Sequence, residues 1–125
     1  SGMFGIALPI FNSGQKSIIE GQKINQQIAE NNQKISKKNM EIQYSLLQNE
    51  YKKLKAEQEY YLTKGLKNGE VILQTAHQQF YGGEINYLEW SILVNQSLEI
   101  NNKYIDNQKL LNDKIIEINS LEEKL

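Results

Sequence analysis

The sequence predicts an all-α fold: a long antiparallel α-helical hairpin, zipped as a coiled coil, with a short N-terminal strand or disordered tail. Three observations predict it. Apolar residues recur at spacings of four and seven along two long polar stretches. Between those stretches the strongest break is one adjacent pair of glycines, Gly82-Gly83. Hydrophobic residues make up 39% of the 125, and mean hydropathy is -0.60. That is too little for a wide core, but enough for a narrow seam, which needs about two apolar residues in seven.

The chain opens with Ser1-Gly2 ahead of Met3, which reads as an expression scar on a fragment of a longer protein. Phe4, Ile6, Leu8 and Ile10 alternate with Gly5, Ala7, Pro9 and Phe11, a strand period. Pro9 confines such a strand to an edge or an end. The competing reading is a disordered or loosely packed apolar leader. Residues 1–11 are therefore set apart from a hairpin over 12–125.

Asn12 and Ser13 are candidate N-caps, with Gln15 three after Asn12. The first helix is expected over about 13–80. Ile24, Ile28, Ile35 and Ile42 form its stripe, and Leu47, Tyr51, Leu54 and Tyr61 continue it in a shifted phase. The intervening Gln, Lys and Glu favour helix, whereas the frequent Asn does not, so this helix depends on packing. Lys64-Gly65-Leu66-Lys67-Asn68-Gly69 is its weak point, since each glycine costs roughly 1 kcal/mol against alanine. Val71, Ile72, Leu73, Ala76 and Phe80 resume helical spacing. With no proline to stop it, one continuous helix with a weak point is favoured over two.

Residues 81–86 form the tip. Gly82-Gly83 can take the left-handed dihedrals that end a helix, and Asn86 can cap the next, with Glu89 completing a capping box. The second helix is expected over about 87–124, with a stripe of Leu88, Ile92, Leu98, Ile105, Leu111, Ile115, Ile118, Leu121 and Leu125. Folded at the glycines, this arm reaches back only to around residue 43. Ile18, Ile19, Ile24, Ile28 and Ile35 then have no partner within the chain, which predicts packing on other copies or on segments outside this sequence.

Several function classes are excluded by composition. Net charge is -1 and the 14 cationic residues, all Lys, are interspersed with acids, so nucleic acid is not the expected partner. Cysteine is absent, which removes disulfides and thiolate metal sites. No apolar run approaches the ~20 residues of a membrane-spanning helix, and no signal peptide is visible. His77 is the only histidine and Met3 and Met40 the only methionines, too few for a transition-metal site; His77 reads as an ordinary surface or seam residue. Neighbouring carboxylates such as Glu57 and Glu59, or Glu122 and Glu123, read as solvated helix faces. An elongated hairpin also lacks a concave pocket. No enzyme activity, catalytic residue, metal or cofactor is expected.

Two runs carry a family resemblance. Gly83-Glu84-Ile85-Asn86-Tyr87-Leu88-Glu89, ahead of a final long helix, resembles the periplasmic tip of the TolC-like outer-membrane efflux proteins, most closely the branch serving heavy-metal exporters. The run holding Gly5, Pro9, Ile10, Phe11, Gly14 and Gln15 resembles the end of an outer-membrane barrel strand entering the periplasmic helix. The resemblance spans nearly the whole chain from Phe4, about the last third of a typical full-length member. Some relatives carry this module fused behind the inner-membrane pump.

The resemblance implies a periplasmic tunnel segment in the outer membrane of a Gram-negative bacterium, acting as a passive conduit in a tripartite heavy-metal or drug efflux system. The implied partners are further copies of the chain (a trimer in the full-length protein), a periplasmic adaptor protein and an inner-membrane efflux pump. Gly83, Glu84, Ile85, Asn86 and Tyr87 match the adaptor-contacting turn. Glu89 matches an acidic pore-constriction residue, or serves only as the capping-box carboxylate. Ser91 and Ile92 stand where some relatives have a second acid, which puts a double acidic ring in doubt. The competing class is a soluble coiled-coil scaffold or interaction module. It explains the seam and the polarity equally well, but not the apolar alternation around Pro9.

Overall fold

A computed structural model describes the backbone of residues 2–125 and the side chains of residues 14–125. It is all-α. Helix α1 spans Gly2–Tyr60, a π-helical turn follows over Tyr61–Gly65, α2 spans Leu66–Tyr81 and α3 spans Tyr87–Lys124. No strand occurs among the described residues. The alternating segment 4–11 therefore makes no strand: its backbone belongs to α1, and its side chains lie outside the described residues. A strand needs a neighbour to take its N–H and C=O groups, whereas a helix pairs them within itself.

The chain divides into two units, residues 1–42 and 43–125. The first is a single stretch of α1. All its described side chains are exposed except Gly21 and Met40, which are half-buried. Ile28, Ile35 and Ile42 are 51%, 58% and 52% exposed. A seven-residue aliphatic stripe thus lies open to solvent along this unit.

The second unit is the hairpin. Its first arm runs from Gln43 through the π turn to Tyr81, and α3 returns antiparallel along it. Pairing extends to the foot of the arms, where the Tyr44 hydroxyl donates to Glu122 Oε1 at 2.6 Å. This is the reach expected from the length of the second arm. Leu47, Leu111 and Leu121 are buried at that end, and Ala76 near the tip. Lys114 ties the arms by an ion pair to Glu50 at 2.7 Å and also reaches Glu117 at 3.5 Å.

The α3 seam is not the one its aliphatic residues suggest. The buried or half-buried positions fall mainly in two heptad rows, Trp90, Ser97, Tyr104, Leu111 and Ile118, and Leu93, Ile100, Asn107, Lys114 and Leu121, with Ser91, Val94 and Gln108 half-buried beside them. Leu88, Ile92, Leu98, Ile105, Ile115 and Leu125, expected in the seam, are instead exposed, at 67%, 49%, 51%, 46%, 38% and 56%. Two uninterrupted heptad rows set the contact line, and Leu98 and Ile105 each sit one position off it. Polar Ser97 and Asn107 fall on the line because they find partners there. Ser97 Oγ donates to the Gly69 carbonyl at 2.8 Å, and Asn107 Nδ2 to the Leu54 carbonyl at 3.1 Å.

The expected weak point over 64–69 is neither a break nor a stop. Helical backbone runs through it, and the irregularity sits slightly earlier, at Tyr61–Gly65. The cause is a counting mismatch. Leu47, Leu54 and Tyr61 are spaced by sevens, and so are Gly69 and Ala76, but the step from Tyr61 to Gly69 is one residue longer. A π turn absorbs an extra residue without ending the helix. Downstream of it the first arm returns to the phase that α3 requires.

Candidate functional site

The hairpin tip is built by local backbone chemistry. Gly82 ends α2 in right-handed geometry, with φ -79° and ψ -1°. Gly83 follows at φ +76°, a region that only glycine enters without strain. Glu84 N–H then donates to the Gln79 carbonyl at 2.8 Å, and Gly83 N–H to that of Phe80 at 3.1 Å. These two crossed bonds are the Schellman closure, which pairs carbonyls that the helix end leaves free. Asn86 opens α3 in extended geometry, φ -85° and ψ 175°, and its Oδ1 accepts from Glu89 N–H at 2.8 Å. Reversal and restart take only the residues between Tyr81 and Tyr87.

The tip residues named from sequence are brought together here. Gly83, Glu84, Asn86 and Tyr87 are exposed and Ile85 is half-buried. Of the large apolar side chains there, Tyr81, Tyr87 and Leu88 are 81%, 69% and 67% exposed. Glu89 is exposed in the first turn of α3, where a negative charge suits the helix dipole. Only half of the expected capping box forms. Asn86 caps through its side chain, but among the described residues no bond joins the Glu89 carboxylate to Asn86 N–H. The carboxylate therefore stays free toward solvent.

Behind the turn lies an aromatic stack. Phe80 and Trp90 stack at 5.1 Å between centroids with 27° between planes, and Tyr87 packs at 5.6 Å from Trp90. His77 sits 5.9 Å from the Trp90 ring, and its Nδ1 accepts a hydrogen bond from Trp90 Nε1–H at 3.0 Å. That bond requires the neutral tautomer with its proton on Nε2. Sequence reasoning placed His77 only as an ordinary surface or seam residue. The missed signal was reflection about the bend: His77 and Trp90, like Phe80 and Tyr87, lie equally far from it on opposite arms. The stack stiffens the end of the hairpin, so the exposed turn is presented on a fixed base.

Grooves along the seam are open and shallow. The one at the foot is lined by Gln43, Leu47, Ile116 and Leu121 among others, and is the broad trough between two rods rather than an enclosed site. Among the described residues, no three His, Asp or Glu side chains group to hold a metal ion, and no helix is long and apolar enough to cross a membrane. The tip offers aromatic and aliphatic surface and exposed carboxylates.

No family model, curated protein or solved structure matches the chain. The likeness to TolC-like proteins thus rests on the tip and junction residues themselves, and the junction side chains up to residue 13 lie outside the described residues.

Proposed function

We propose that this chain is a periplasmic tunnel segment of a TolC-like outer-membrane efflux channel in a tripartite heavy-metal or drug export system. In this reading it conducts passively. Several copies stand side by side around a water-filled lumen lined by Asn, Gln and charged side chains. An adaptor protein, engaged with an inner-membrane pump, meets the hairpin tips.

The observation that carries the reading is the tip. Its turn is closed by the Gly82-Gly83 backbone, backed by the Phe80–Trp90 stack, and exposes Glu84, Tyr87 and Leu88 at the end of the hairpin. Amphipathic rings on a rigid support suit a protein contact. The outward aliphatic residues add support. Leu98 and Ile105 on α3, and the Ile28, Ile35 and Ile42 stripe of the first unit, are surfaces that neighbouring helices in a wall would cover. In a wall of several copies, the exposed Glu89 carboxylates would form a ring that attracts cations.

The test is binding of the chain to the hairpin of its cognate adaptor, with Glu84→Ala and Tyr87→Ala compared with the unchanged chain. Each substitution is expected to weaken binding, by more than about 1 kcal/mol if the residue is a centre of the contact. Binding that is indifferent to both changes would argue against the tip as the docking surface and leave a coiled-coil scaffold as the better reading.

A further inference from the structure

We infer that the hairpin contains a built-in pivot, at the level of the π turn, about which its tip half can swing relative to its foot. The inference stands on the seam alone and holds whatever the tip contacts.

The first observation is the distribution of buried groups. The buried apolar side chains of the hairpin are Leu47, Leu111 and Leu121 near the foot and Ala76 near the tip. The buried positions between them are glycines or polar residues: Gly65, Gly69, Ser97 and Asn107. Interlocking of knobs into holes is what resists bending of one helix against another, and glycine supplies no knob. Half-buried Leu54, Tyr61, Ile100 and Tyr104 pack around these positions, and hydrogen bonds to backbone carbonyls, from Ser97 to Gly69 and from Asn107 to Leu54, close the rest.

The second observation is that one of those polar groups is left wanting. Asn107 is 4% exposed, and its Oδ1 has no hydrogen-bond partner. Turning the amide over would not help, because Oδ1 would then face the Leu54 carbonyl. A buried unpaired acceptor weakens the layer that holds it. The third observation is the π turn itself. It holds one residue more than the opposing arm matches, and Thr63 Oγ1 bonds back to the Glu59 carbonyl at 2.7 Å, a contact that bends helices. The Asn107–Leu54 bond, the π turn and the Ser97–Gly69 bond follow one another along the stretch of the first arm from Leu54 to Gly69. Above it the Phe80–Trp90 stack holds the tip together. Below it the Glu50–Lys114 and Tyr44–Glu122 contacts hold the foot. Two tight segments joined at a loose layer make a hinge rather than a uniformly weak rod.

The absence of native cysteine makes the test clean. Spin labels on Lys53→Cys and Gln74→Cys, both exposed, straddle the π turn on the first arm. Labels on Lys109→Cys and Glu123→Cys, both exposed, lie on the foot side of Asn107 on α3 and serve as the control pair. In the full chain, pulsed dipolar spectroscopy should give a broadened or two-peaked distance distribution for the straddling pair and a narrow one for the control. Deleting Leu62 removes the extra residue, and Asn107→Leu replaces the polar layer. Each should narrow the straddling distribution toward the control. A straddling distribution already as narrow as the control in the cysteine-labelled chain overturns the inference, whatever the two variants do. So does a broad distribution that survives in both variants while their helical content is unchanged.

Discussion

Tyr44 shows how much one side chain can say about the foot of the hairpin. Its hydroxyl donates to Glu122, and that bond, then burial, then the nearby carboxylate charge, hold the phenol pKa above its ordinary value. Lys114 is raised as well, chiefly by its bond to Glu50, with Glu117 and Glu50 charge adding and burial opposing. Both groups bind their protons more tightly in the folded state. Their contribution to stability is therefore complete below the unfolded values, near pH 10, and is lost as pH rises through the raised folded values. Denaturant unfolding followed by circular dichroism should show stability falling as pH climbs past about 10. Tyr44→Phe should lower stability at neutral pH and make that alkaline fall shallower. An unchanged slope in the variant would mean that the Tyr44–Glu122 bond does not hold the arms together in solution. Residue-scale features such as this were only partly legible in the sequence. Gly83 and Asn86 could be read directly, because a left-handed turn and a helix cap are decided within a few residues. Tyr44–Glu122 and His77–Trp90 could not, because each pairing depends on where the chain folds back and on which way each helix faces.

At the scale of the element, the informative pair is Gly65 and Gly69. From sequence alone they weaken the helix equally, and together they mark a weak point. Structure separates them. A Cβ on Gly69 would meet the Ile100 side chain at 3.5–3.6 Å, ordinary van der Waals contact. A Cβ on Gly65 would lie 2.9 Å from Tyr61 Cδ1 and 3.3 Å from Tyr60 Cε1, with the Tyr61 ring itself packed 6.0 Å from that of Tyr104. Gly69→Ala should therefore stabilise the hairpin by up to about 1 kcal/mol, the helix-propensity difference. Gly65→Ala should gain nothing or lose stability, since the aromatic layer must shift to admit it. Urea midpoints of the two variants decide this, and equal stabilisation by both would show that the tyrosine layer is slack. The π turn had a signal in the sequence as well. The seam residues Leu47, Leu54 and Tyr61 keep one frame, and Gly69 and Ala76 keep another, offset by one position. Attention to the glycines drew the expected irregularity to 64–69, whereas the frame shift located it earlier. The α3 seam was misjudged for a related reason. Counting aliphatic residues favours Leu98 and Ile105, but the register set by the partner helix selects Ser97 and Asn107.

For the whole chain, the decisive contrast is between its two units. Residues 43–125 bury a seam, whereas residues 14–42 form helix with nearly every side chain exposed. Most helical stability in proteins comes from packing an apolar face, and the frequent Asn in the first unit adds little of its own. The stripe of Ile28, Ile35 and Ile42 is open to solvent, and in the proposed tunnel wall another helix of the same assembly would cover it. Helical content should then depend on protein concentration. As the chain is diluted, the 222 nm ellipticity should fall by a share corresponding to the first unit while the hairpin remains folded, with Trp90 fluorescence as its internal reporter. Sedimentation over the same range should show association where ellipticity is high. Ile28→Asn with Ile35→Asn should abolish both the association and the concentration dependence without moving the Trp90 signal. Full helicity in a chain that sediments as a monomer at every concentration would mean that this unit needs no neighbour. The tunnel reading would then lose its account of the exposed stripe, while the tip, built from its own local bonds, would be unaffected.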